Sequence, residues 1–178
     1  ADRKNIESTA DMQSQPVAAT LDRFNPGGFH WHALIVEFQD VTDWNNNLVF
    51  ETDVIPYRKN SYRGNLLFAR NAENDRGFFF LKEAPASGVQ PAYGGGDFTA
   101  EFGDFTVTDL AVTEKDLCEE EWVKAYGCVL GVWSGGELEQ LTALRSYQKN
   151  IRKLLPGRDE MVMMNTWGDR SQDTKVNE

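Results

Sequence analysis

Apolar residues along this chain fall into short runs of period two, separated by turn-forming clusters, and change to a period of three to four toward the C-terminal end. Residues 1 to about 28 are polar and turn-rich, and they close on Asn25-Pro26-Gly27-Gly28, a loop signal. Phe29 to Phe38 then carries Trp31, Ala33, Leu34, Ile35 and Val36. Leu48 to Ile55 sets Leu48, Phe50, Thr52 and Val54 against Val49, Glu51 and Asp53, and Pro56 ends the run because it lacks the N–H a ladder needs. Asn65 to Ala69, Phe78 to Lys82, Phe98 to Val112 and Glu121 to Trp133 continue the series. Between Glu83 and Gly96 lies a stretch rich in Pro, Ser and Gly, too long for a tight hairpin. Short strands spaced by turns predict a β-sandwich.

The period changes at Gly135. Leu138, Leu141, Leu144, Tyr147 or Gln148, Ile151 and Leu154 recur every three or four residues, which predicts one helix from Gly135 to Leu155, the longest in the chain. Ser134 and Glu137 have the spacing of a capping box. Arg152 and Lys153 sit where the helix dipole favours cations, and Pro156-Gly157 ends the element. Met161-Val162-Met163-Met164 is apolar on both faces, the pattern of a strand buried on both sides as in a parallel sheet. A sandwich, a long helix and one lone parallel-type strand form an incomplete architecture. The expected organisation is therefore a sandwich over 1–133, either complete or incomplete at its start, a helix over 134–157, and over 158–178 the beginning of a second domain.

Composition narrows the function. The 178 residues include 40% hydrophobic and 12% aromatic side chains, enough apolar material for a core without metal or disulfide staples. With 28 acidic and 18 basic residues the net charge is −10. Nucleic-acid binding needs a basic stripe, and the sequence has none. No apolar run is long enough to span a membrane, and the polar opening Ala1-Asp2-Arg3-Lys4-Asn5 is not a signal peptide. Cytoplasmic and secreted or periplasmic locations are both compatible with this. Cys118 and Cys128 are too few for a disulfide framework; they read either as a cross-hairpin pair or as two small buried side chains.

Several clusters resemble chemistry without supplying it. His30 and His32 flank Trp31 at a spacing that lets two imidazoles share a metal, but no third ligand is marked out, so structural histidines are expected and no cofactor. Tyr93-Gly94-Gly95-Gly96-Asp97 lacks the Gly-Lys-Ser/Thr ending of a phosphate loop and reads as a surface loop. Glu114 to Asp116 and Glu119 to Glu121 read as solvated faces; a glycosidase needs two carboxylates held a set distance apart, which spacing alone does not provide. Trp167 stands apart. It follows the Met161–Met164 run, with Asp169 and Asp173 in the loop behind, at the strand edge where α/β barrels build active sites. A Trp ring beside carboxylates suits a sugar, the ring stacking on the apolar face and the acids accepting hydroxyl protons. Packing under a loop is the alternative.

Taken in order, Phe29-His30-Trp31-His32, Leu34 to Asp43, Asn45 to Val49, Tyr62-Arg63-Gly64-Asn65-Leu66-Leu67-Phe68, Phe79 to Pro85, Arg145-Ser146-Tyr147-Gln148 and Asn165-Thr166-Trp167-Gly168-Asp169-Arg170 resemble the bacterial α-galactosidases of glycoside hydrolase family 36. The resemblance covers most of residues 29 to 178. It implies an N-terminal supersandwich, a linker helix and the first strand of a (β/α)₈ barrel. It also implies a parent enzyme that hydrolyses terminal α-galactosides with retention. The family's Lys-x-Asp nucleophile, later Asp acid/base and Asp-Asp-Gly-Trp motif do not occur here, so this chain alone is expected to be non-catalytic. Trp167 and Asp173 carry over as substrate contacts of the complete enzyme, and Asp169 lies between them. Where relatives have Trp-Glu-Ala-x-Tyr-Phe-Asp this chain has Trp167-Gly-Asp-Arg-Ser-Gln-Asp173, which leaves both galactose and N-acetylgalactosamine open. The implied partners are the chain's own barrel, a carbohydrate, and a second copy in a homo-oligomer. A free-standing carbohydrate-binding module, with Tyr57, Tyr62 and Tyr93 as its loose aromatics, or a structural assembly domain are the competing readings.

Overall fold

The computed structural model describes residues 16–38, 49–84 and 96–159. Trp167, Asp169, Asp173, Tyr93 and the expected strand Met161–Met164 lie outside them. The chain divides into two compact units, residues 1–145 and 146–178, and all nine described strands belong to the first. Among the described residues it is mainly β, with two antiparallel sheets and one α-helix.

Strands β1 (Pro16–Phe24), β8 (Asp104–Thr113), β7 (Phe98–Glu101) and β4 (Asn60–Tyr62) form a four-stranded sheet in that order. Strands β3 (Val49–Val54), β2 (Trp31–Phe38), β5 (Leu66–Asn71), β6 (Arg76–Glu83) and β9 (Gly127–Ser134) form a five-stranded one. One apolar cluster takes side chains from both. Trp31, Ala33, Ile35, Leu67, Ala69, Phe78 and Phe80 come from the larger sheet; Phe98, Ala100, Phe105 and Val107 come from the smaller. Alternation along each strand puts every second side chain on this shared face. Phe78 is the hub, with ring centroids 4.9 Å from Phe24, 5.6 Å from Trp31, 5.5 Å from Phe80 and 5.0 Å from Phe105, all edge to face.

Two expectations need correction. The polar, turn-rich opening contains β1, whose Val17, Ala19 and Leu21 alternate with small or polar residues and which pairs with β8 through two register shifts. The run from Phe98 to Val112 is two strands, not one. Glu101 pairs with Asp104 across a two-residue turn at Phe102-Gly103, both with positive φ (43° and 78°), the backbone of a type I′ hairpin. Gly103 must be glycine: a Cβ there would lie 2.6 Å from the Gly27 carbonyl oxygen. Phe102 tolerates its unusual φ while its N–H donates to the Pro56 carbonyl (2.7 Å) and its ring meets Phe29 at 5.6 Å.

The helix α1 runs from Glu137 to Ile151. Its cap differs from the expected one, because Ser134 is spent as the last residue of β9. Glu139 instead reaches back to accept the Gly136 N–H at 2.9 Å, a capping box shifted by two residues. No residue of α1 is buried, and Leu138, Leu141 and Ile151 are 72%, 44% and 57% exposed. Beyond the helix, Asp159 closes a turn by accepting from the Leu155 N–H (3.2 Å) and from Arg158 (2.8 Å).

Candidate functional site

The outer face of the five-stranded sheet is organised by its register. His32 on β2, Arg70 on β5, Gly77 on β6 and Trp133 on β9 form one cross-strand row; Asp53, Leu34, Phe68, Phe79 and Gly131 form the next. In each row a glycine stands where the neighbouring strand supplies an aromatic ring. A Cβ on Gly77 would fall 2.5 Å from Trp133 Cε2, and one on Gly131 would fall 3.0 Å from Phe79 Cδ1. The glycines are sockets that let Trp133 and Phe79 lie flat on the sheet and close around Phe68, whose centroid is 6.0 Å from Trp133 and 6.2 Å from Phe79.

Next to this aromatic floor is a cleft of about 460 Å³. His32, Asp53 and Arg70 contribute polar groups from three strands, Leu34 and Phe68 an apolar base, and Glu137 and Gln140 approach from the first turns of α1. Arg70 is oriented by Asp75, 2.9 Å away. The cleft offers carboxylate acceptors, guanidinium and amide donors, and a patch of apolar surface. That combination suits a small polyhydroxylated ligand, whose hydroxyls both donate and accept.

His30 and His32, expected on one face of a strand, are not brought together. His32 lines the cleft, whereas His30 precedes β2 and faces Glu73, with Nε2 3.2 Å from the carboxylate. Among the described residues no group of three or more His, Cys, Asp or Glu side chains is placed to hold an ion. Cys118 and Cys128 are both free thiols. Burial pushes the Cys128 thiol up to about 12, with the negative charges of Asp22 and Glu83 acting in the same direction. Glu119 to Glu121 are exposed, as expected of a solvated run.

Two features escaped the sequence reading. The end of the Gly-rich stretch is not a surface loop: Asp97 is fully buried and paired with Lys82 at 2.7 Å. Lys82 is itself a buried cation, and only its place among inward-facing Phe78 and Phe80 hinted at this. The second feature is the company of Tyr57, already named among the loose aromatics, with exposed Phe29 and Phe102. Phe29, Phe102 and Tyr57 are 63%, 43% and 54% exposed, with Phe102 5.6 Å from Phe29 and 6.4 Å from Tyr57. Tyr62, by contrast, packs against the core.

No helix among the described residues is long and apolar enough to cross a membrane. Comparison of the chain with known protein families, known proteins and solved structures finds no match.

Proposed function

We propose that this chain is the non-catalytic N-terminal domain of an α-galactosidase-like glycoside hydrolase: a supersandwich-like β domain, its linker helix, and the first strand of a catalytic (β/α)₈ barrel. The observation that carries the reading is the ordered set of motifs from Phe29-His30-Trp31-His32 to Asn165-Thr166-Trp167-Gly168-Asp169-Arg170. The element order supports it: two antiparallel sheets on one core precede a single helix that leaves Leu138, Leu141 and Ile151 open to a further domain. On this reading the barrel supplies both carboxylates of the retaining mechanism. Trp167, Asp169 and Asp173 belong to the sugar site of the complete enzyme, while the chain supports the barrel and contributes to oligomer contacts.

The test is the reading frame past Glu178. The proposal requires it to encode Asp-Asp-Gly-Trp and Lys-x-Asp, and requires the longer protein to release nitrophenol from p-nitrophenyl α-galactoside while the purified chain does not. A frame without those motifs, or turnover by the chain itself after removal of host enzyme, overturns it. A second reading, a carbohydrate-binding module, is favoured by the exposed trio Phe29, Tyr57 and Phe102, since rings laid open to solvent are what sugars stack on. Micromolar saturation with galactose or an oligosaccharide, followed by Trp fluorescence, would select that reading over the first.

A further inference from the structure

Among the described residues, the interior between the sheets holds three charged side chains. Lys82 projects inward from β6 beside Phe78 and Phe80; Asp97 stands just before β7; Asp109 lies on β8 in register with the inward-facing Phe105 and Val107. Their side chains are 2%, 1% and 1% exposed. Lys82 Nζ is 2.7 Å from Asp97 Oδ1 and 3.4 Å from Asp109 Oδ1, and neither Asp109 oxygen has a hydrogen-bond partner. Two carboxyl groups therefore converge on one amine in a buried setting, where an ion left without a partner is costly.

The triad is also held rigidly. The Asp97 N–H donates to the Tyr62 carbonyl at 2.7 Å, and its own carbonyl accepts the Thr108 N–H at 2.8 Å. The Lys82 N–H donates to the Asn65 carbonyl at 2.8 Å. Asp97 Oδ2 accepts the Gly64 N–H at 2.9 Å, and Gly64 approaches so closely that a Cβ would lie 2.7 Å from the Val36 carbonyl oxygen. An amine and a carboxyl group locked in contact in a buried site, with a backbone N–H on one carboxyl oxygen and a second carboxyl at the amine, are the parts of an acyl-transfer centre.

From this arrangement we propose that Lys82 and Asp97 condense to an isopeptide bond that joins the two sheets, with Asp109 as the catalytic proton shuttle. Proton transfer from Nζ to a carboxylate leaves a neutral amine and a neutral acid. The Nζ lone pair attacks Asp97 Cγ, and the Gly64 N–H stabilises the negative charge that develops on Oδ2. Asp109 takes the second Nζ proton and delivers it to Oδ1, which departs as water when the C–O bond breaks. One N–C bond forms, one water leaves, no oxidant or co-reactant is needed, and Asp109 is regenerated. Condensation removes an ion pair from the core, and Asp109, returned as a carboxylate, can then accept from the new amide N–H.

Mass spectrometry of the denatured, purified 178-residue chain reads this directly. The expected mass is lower than the sequence mass by one water. Trypsin should fail to cut after Lys82 and give residues 77–115 as one piece; cleavage after Glu83 should then leave the two arms joined. Asp97→Asn should lose ammonia instead of water, and Asp109→Asn should keep the full mass while its circular dichroism shows the same sheet content. Wild-type protein that is folded yet has full mass overturns the proposal. So does a water lost at Asp97 with Lys82 still cleavable, which would be a succinimide, and normal crosslinking in Asp109→Asn removes that residue's role. None of these outcomes depends on whether the parent protein is a glycosidase.

Discussion

Adding one methyl group to the outer face of the larger sheet should destabilise the domain more than most single core deletions of that size. In Gly77→Ala the new Cβ would sit 2.5 Å from Cε2 and 2.6 Å from Cη2 of Trp133. Carbon atoms in contact normally stand about 3.5–4.0 Å apart, so the overlap is roughly 1 Å. The indole has little room to yield: Trp133 is 8% exposed and abuts Phe68 edge to face. Overpacking of this kind costs about 1–3 kcal/mol. For a chain of this length that corresponds to a drop in Tm of about 2–12 °C. Urea unfolding should show a lower midpoint at an unchanged slope. The decisive measurement is a double-mutant cycle with Trp133→Leu. Removing the indole makes space for the new methyl, so the double variant should be more stable than the two single losses predict, by at least about 1 kcal/mol. Gly136→Ala is the control for added volume, because its Cβ would meet only Glu139 Oε2 at 3.7 Å; whatever it costs the helix cap, it should show no coupling to Trp133→Leu. Additive losses in the cycle, or a neutral Gly77→Ala, would refute the socket reasoning.

Other predictions concern the core and the titrating groups. Phe78→Ala removes the ring that contacts Phe24, Trp31, Phe80 and Phe105 and should cost about 3–5 kcal/mol by chemical denaturation. In the native protein at about pH 8, exposed Cys118 should react quickly with a disulfide reagent, while Cys128, whose thiol is pushed up to about 12, should react only on unfolding; two fast equivalents would contradict this. The hydrogen bond from Arg23 holds the Asp104 carboxyl below its ordinary value. A lowered folded-state pKa means that its stabilising effect is present above the unfolded value, near 4, and is lost as pH falls through the folded one. The urea midpoints of wild type and Asp104→Asn should therefore differ at neutral pH and converge in acid. Because the pair is largely solvent-exposed, salt should narrow the difference too.

Much of the fold was legible in the sequence because it depends on local pattern. The alternation of Trp31, Ala33 and Ile35 and the Phe78/Phe80 pair record which side of each strand faces the core, and the leucine period after Gly135 marks a helix, although none of its residues is buried. Local pattern failed where pairing partners decide. β1 looks polar, yet its backbone is satisfied by β8, a strand 80 and more residues away in sequence. Ser134 looks like a helix cap, yet pairing with Arg76 draws it into β9 and passes the cap to Gly136 and Glu139. The site shows the same division. His32 and Asp53 were visible as residues, but only the register of β2, β3 and β5 brings them to one cleft with Arg70. Lys82, Asp97 and Asp109 carry no shared motif, since three ordinary polar residues become a buried cluster only when two sheets close over them. Sequence alone determines which residues prefer the interior; the meeting of strands distant along the chain determines which of them meet, because that choice rests on long-range pairing whose cost and reward no short window contains.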